Sequence, residues 1–126
     1  MKINEKELEA VFKLPASKRY SYFIKKICDW EEVWTLYDDG FATISDDNGN
    51  ILIPFWPNKR FAESCAKEEW STYRAEMIGL DDFIEKWLPG MKNDAYKPAI
   101  IWNTYDSAVT SIDELLKDIK EELDNY

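Results

Sequence analysis

The sequence contains no histidine, and that gap removes more chemistry than any motif present supplies. Without an imidazole the chain lacks the commonest general base, the commonest metal ligand and the usual group titrating near neutral pH. Ser-His-Asp and Cys-His catalysis are therefore excluded. Only two cysteines occur, Cys28 and Cys65, and two widely separated thiols do not make a tetrahedral zinc site. Both stand among apolar neighbours at helical spacing, Ile24 and Ile27 for one and Phe61 and Ala62 for the other, which predicts buried free thiols. Glycine is scarce as well. The four glycines are isolated, so no glycine-rich loop is available to cradle a phosphate. No apolar run approaches the roughly 20 residues of a bilayer span; the longest cover residues 51–56 and 99–102. The chain opens on the polar Met1-Lys2-Ile3-Asn4-Glu5, which lacks the apolar core of a signal peptide. A cytoplasmic protein is expected.

Positive charge is also in deficit. Sixteen basic residues face 25 acidic ones, a net charge of -9, which repels phosphate backbones and anionic membrane surfaces. Neither nucleic acid nor a membrane is an expected partner. The short basic groups Lys18-Arg19, Lys25-Lys26 and Lys59-Arg60 alternate with acids and read as solvated helix faces.

What is present is apolar area: 45% of the residues are hydrophobic and 15% aromatic. A chain of this size buries roughly two thirds of its unfolded surface, so a single folded domain over residues 1–126 is expected. Its centre is the segment 29–57, which holds Trp30, Trp34 and Trp56, three of the six tryptophans. Strands are expected at 33–37, 41–45 and 51–55, separated by the turn sequences Asp38-Asp39-Gly40 and Asp46-Asp47-Asn48-Gly49-Asn50. In the first, both alternate sets of side chains are largely apolar, as in a strand covered on both faces. Short turns imply an antiparallel meander. Pro54 has no amide donor, which places the third strand at an edge or ends it at a bulge.

Helices flank this centre. Asn4 and Glu7 form a capping box for a first helix that Leu14-Pro15 stops, with Ile3 and Leu8 as its hydrophobic staple. A second runs over 17–29 with Tyr20, Phe23, Ile24 and Ile27 on one face and Lys18, Arg19, Lys25 and Lys26 on the other. Asn58 caps a third over 59–70. After a candidate strand at 73–78, a fourth starts at Asp81 or Asp82 and ends at Pro89-Gly90. Further strands are expected at 97–102 and at 108–110, after the polar connection 103–107. Ser111 and Glu114 then cap the last helix, on which Ile112, Leu115, Leu116, Ile119 and Leu123 keep the helical period. The fold class is α+β: a small, mostly antiparallel sheet, a meander of about three strands plus one to three more, packed with about five helices.

Candidate chemistry is confined to acids and aromatics. Glu31-Glu32, Asp38-Asp39, Asp46-Asp47 and Asp81-Asp82 are adjacent pairs, but adjacent strand residues point to opposite faces, and three of the pairs fall at turns or a helix start. The 46–50 loop lacks the acidic ligand spacing and the closing glutamate of a calcium-binding loop. No catalytic residue, metal or cofactor follows from these patterns. Trp30, Trp34, Tyr37, Trp56 and Trp70 supply apolar area to a core, and a few exposed members of such a set make an interface.

The runs Tyr20-Ser21-Tyr22-Phe23-Ile24-Lys25 and residues 29–40, then Pro54-Phe55-Trp56-Pro57, Phe61-Ala62-Glu63-Ser64-Cys65-Ala66 and residues 80–89, resemble a bacterial family known as domain of unknown function 2750. The similarity spans roughly residues 4 to 90. It implies a small, single-domain, cytosolic bacterial protein and carries over no activity, ligand or catalytic residue.

The leading expectation is a non-enzymatic protein-binding module, regulatory or immunity-like. Its acidic, aromatic surface, formed by Trp30, Glu31, Glu32, Trp34, Tyr37, Asp38, Asp39 and Trp56, would meet a basic protein, because complementary charge speeds encounter. The alternative is a small-molecule site with an aromatic pocket beside Trp34, Tyr37 and Trp56. A third reading, an acid-base enzyme, needs two carboxylates with separated pKa values in one cleft.

Overall fold

A computed structural model of the chain describes residues 3–103 and 105–126. Met1 and Lys2 of the polar start and Thr104 of the 103–107 connection lie outside the described residues. Helix α1 (Glu5–Lys13) begins at Asn4, whose side chain accepts from the Glu7 amide at 2.8 Å. The Glu7 carboxylate is occupied elsewhere: it accepts from the Tyr22 hydroxyl at 2.5 Å, which ties α1 to α2 (Ala16–Trp30). The second helix buries Phe23, Ile24, Ile27 and Cys28, as its period requires, but it also buries Arg19. That corrects the expectation of a basic solvated face at this position. Arg19 is 2% exposed; it pairs with Asp106 and donates to the Leu14 carbonyl at 2.9 Å. The helix closes at Glu31 in the left-handed region, φ 58°, with its amide on the Ile27 carbonyl at 2.8 Å.

The strands are β1 (Glu32–Tyr37), β2 (Ile44–Ser45), β3 (Ile51–Phe55), β4 (Arg74–Gly79), β5 (Tyr96–Ile100) and β6 (Ala108–Val109). Of the expected meander only the second hairpin, β2 with β3, forms; β1 does not join it. The Asp38–Gly40 turn does reverse the chain, with Asp39 at φ 55° and a single bridge from Tyr37 to Phe41, but β1 then pairs along its whole length with β4, antiparallel. The second ladder is β2-β3-β5-β6, in which β3 and β5 run parallel and the other pairs antiparallel. A backbone bridge connects the ladders. Trp34 and Trp56 exchange both amide–carbonyl bonds at 2.8 Å.

Pro54 explains this arrangement, although not as an edge or bulge residue. The amide of Ile101 reaches the Phe55 carbonyl at 2.9 Å, so Phe55, Ile53 and Ile51 face β5, and Leu52, Pro54 and Trp56 face the other side. There Leu52 is opposite Ile44 of β2, and Trp56 is opposite Trp34 of β1. Pro54 falls between the two partners, where no strand asks for an amide. Its carbonyl accepts from the buried Thr35 hydroxyl at 2.7 Å.

Helix α3 (Lys59–Ser64) starts at Asn58, whose side chain accepts from the Arg60 amide at 3.0 Å, and stops at Cys65, well short of Trp70. A separate single turn of 3₁₀ helix covers Glu68–Trp70. The next helix, α4, occupies residues 80–93 in three pieces: α-helical Leu80–Asp82, a π-helical turn Phe83–Trp87, and α-helical Leu88–Asn93. It begins at Gly79 with no side-chain cap, and Pro89-Gly90 lie inside it. The Leu88 amide bonds back to the Phe83 carbonyl; this wider turn gives room where the Pro89 ring would otherwise press on the preceding carbonyls. Helix α5 (Ile112–Leu123) starts as expected, with the Ser111 hydroxyl accepting from the Glu114 amide at 3.1 Å.

Among the described residues the result is an α+β fold with five helices and two mostly antiparallel sheets. One hydrophobic core runs through it, with Phe23, Phe55, Trp56, Phe61 and Phe83 fully enclosed.

Candidate functional site

The eight residues expected to form one surface fall in three places. Glu31 and Glu32 enter β1, and Tyr37, Asp38 and Asp39 leave it. At about 3.4 Å per residue the six-residue strand separates the two groups by about 17 Å. The leaving end is engaged in holding the chain together. Asp38 accepts from the Thr72 hydroxyl at 2.6 Å, and the Tyr37 ring meets Phe41 edge-on at 4.8 Å beneath the Arg74 guanidinium at 4.9 Å. Trp56 is fully buried; its indole N–H donates to the Trp102 carbonyl at 3.0 Å and its ring stands edge-to-face with Trp70 at 6.5 Å. Trp30 is half-buried under the Lys26 ammonium at 5.3 Å.

The entering end is different in kind. Glu32 accepts from the Trp34 indole N–H at 3.0 Å and so fixes a half-buried ring at the sheet surface. Directly across the ladder from Trp34 stands Met77, 52% exposed. Beyond Gly79, an open depression of about 400 Å³ is lined by Glu31, Gly79, Leu80, Asp81 and Asp82. Asp82 has a loose partner in Lys86 at 3.5 Å; among the described residues Glu31 and Asp81 form no ion pair. Met77 and Asp81 were missed as site residues because only the β1–β4 pairing, 43 positions apart at Trp34–Met77, brings them there. The one sequence signal was an apolar Met77 in a strand whose neighbours Arg74 and Glu76 are charged.

Trp56 is fully buried, whereas Trp34 and Tyr37 are half-buried on β1. A small cleft of about 180 Å³ opens elsewhere, between Ile44, Cys65, Lys67, Trp70 and Trp102. Glu68 and Glu69 also line it, and within it the Cys65 thiol points to the Trp102 carbonyl at 3.2 Å, the same carbonyl that holds Trp56. Burial pushes the Cys65 thiol up to about 11 and, with help from Glu122 and Asp29, the Cys28 thiol up to about 11. Neither is poised as a nucleophile. Both are buried free thiols.

A family model described as a protein of unknown function, DUF2750, matches residues 20–119. The chain belongs to this family. The DUF2750 match takes in all six strands and the acidic depression, leaves α1 outside, and extends well beyond residue 90, where the resemblance read from the sequence fades. No curated protein matches the chain.

Proposed function

We propose that this DUF2750 protein is a non-enzymatic binding module that captures a basic protein segment at the entering end of β1. The observation that carries this reading is the pairing of unneutralised acids, Glu31 and Asp81, with the exposed Met77 and the fixed Trp34 ring. Carboxylates give orientation and encounter rate, and an aromatic–thioether patch gives desolvated contact area. A bacterial, cytoplasmic, regulatory or immunity-like role fits that surface and the net charge of -9. The small-molecule alternative has weaker support, because the 180 Å³ cleft is below the roughly 300–1,000 Å³ of typical ligand sites and Trp56, expected to wall the aromatic pocket, is fully buried.

Titration calorimetry with a lysine-rich peptide and its glutamate counterpart tests the proposal. Binding of the first alone is expected, and it should weaken with added salt. The Glu31→Lys/Asp81→Lys double variant should lose it, whereas Asp38→Lys/Asp39→Lys should retain most of it. Equal losses in the two variants would mean that only overall charge matters and would remove the site.

A further inference from the structure

The backbone of β4 offers more than a charged rim. Trp34 spends both its amide and its carbonyl on Trp56, and the Leu80 amide bonds the Glu31 carbonyl at 3.0 Å. In an antiparallel ladder bonded and non-bonded pairs alternate. Trp34–Met77 is therefore a non-bonded pair, and the polar backbone groups of Met77 point away from β1. The same phase turns the amide and carbonyl of Ala75 and the amide of Gly79 outward. Among the described residues none of these groups has a hydrogen-bond partner on that side.

Unpaired edges are usually kept short, twisted or covered. The other edge strands obey this: β2 and β6 have two residues each. Strand β4 has six. Its two charges, Arg74 and Glu76, pair with each other at 3.6 Å and lie on the face opposite Met77. They leave the Met77 side of the edge open.

We propose that β4 is a docking strand, which takes an extended segment of a basic partner protein as an added antiparallel strand. This rests on the binding-module reading above and specifies its mode. Antiparallel addition is the slightly stronger geometry, and it puts the N-terminal end of the incoming segment beside Gly79. Lysine or arginine side chains there enter the depression lined by Glu31, Asp81 and Asp82. Apolar residues following them lie against Met77 and Trp34. The segment thus reads basic first, then alternating apolar, with main-chain bonds supplying affinity and the acidic end fixing register. A second copy of this chain is disfavoured as the occupant, since it also carries a charge of -9.

The test uses the full chain, isotopically labelled, with a peptide of N-terminal lysines followed by alternating valine and threonine. On binding, exchange of the Met77 and Gly79 amides should slow by at least about tenfold. N-methylation of the peptide at the positions facing β4 should weaken binding by about tenfold or more, while methylation at the alternate positions should not. Met77→Pro, which removes an outward donor at an edge where proline is tolerated, should reproduce the loss and keep the thermal transition. If the peptide binds with unchanged Met77 exchange and both methylated forms bind equally, strand addition is wrong and the acidic capture site stands. If no basic peptide binds at all, both readings fall. Met77 amide protection in a self-associated protein without peptide would assign the edge to a second copy and overturn the proposal.

Discussion

Arg19 shows how one residue can break a pattern for a physical reason. Its long stem suits a helix face near the core, and its head reaches Asp106, which is 60% exposed, from a nearly closed site. Among the described residues its Nε has no partner. A buried cation that loses its counter-ion costs far more than an exposed pair is worth. Asp106→Ala should therefore destabilise by about 1–3 kcal/mol, while Arg19→Met, which removes the charge and keeps the volume, should cost less. Urea denaturation of the two variants decides the order, and the reverse order would mean that the guanidinium bond to Leu14 dominates. Asp46 allows a pH prediction. Hydrogen bonds from the Asn50 side chain and backbone, and from the Asn48 amide, hold its carboxyl below the usual range. A folded value below the unfolded one contributes stability that is present above the ordinary carboxylate pKa and is lost as pH falls through the lowered folded value. Asp46→Asn should flatten the acid side of the stability profile below about pH 4. With thiols at about 11, Cys28 and Cys65 should resist iodoacetamide in the folded protein at neutral pH and react after denaturation. Mass spectrometry reads both states.

Three helix starts were legible from sequence because their signals are local, whereas the third helix, expected over 59–70, ends at Ser64. Asn4, Asn58 and Ser111 cap where their side chains and spacing say they should. The β2–β3 hairpin was legible through its 46–50 turn, but the other strand partners were not, because their pairing is settled by residues far apart in the chain: Trp34 finds Trp56 and Met77, and the Asp38–Gly40 turn completes no hairpin. The helix expected from Asp81 or Asp82 to Pro89-Gly90 is present, but its end at Asn93 was misplaced for a third reason. Its proline would stop a regular α-helix, and a π turn is invisible to a rule built on a 3.6-residue period. Pro54 was correctly singled out and wrongly interpreted. It marks the gap between two partners on one side of a central strand, which Thr35 bridges with its hydroxyl. Thr35→Val keeps the shape and strand preference yet leaves a buried carbonyl unmatched, so it should destabilise by about 1–3 kcal/mol, and Thr35→Ser by less. Equal costs in urea titrations would mean that packing, not the hydrogen bond, holds the junction of the two ladders.

At the scale of the whole molecule, the acidic lip expected across 31–39 becomes two unlike ends of one strand. That division sets up opposing effects of salt. A net charge of -9 repels itself in the compact state, and screening at physiological ionic strength reaches within about 8 Å. The five ion pairs among the described residues have at least one well-exposed partner each, so they lose little when screened. Raising sodium chloride from low to physiological concentration should therefore raise the thermal midpoint by a few degrees. The same addition should weaken capture of a lysine-bearing segment, because attraction at Glu31 and Asp81 is screened by the same ions. Calorimetric scans and titrations on one preparation test both signs together. A midpoint that falls with salt would mean that Arg19–Asp106 outweighs the global repulsion; affinity that ignores salt would leave main-chain pairing at β4, without the acids, as what holds a partner.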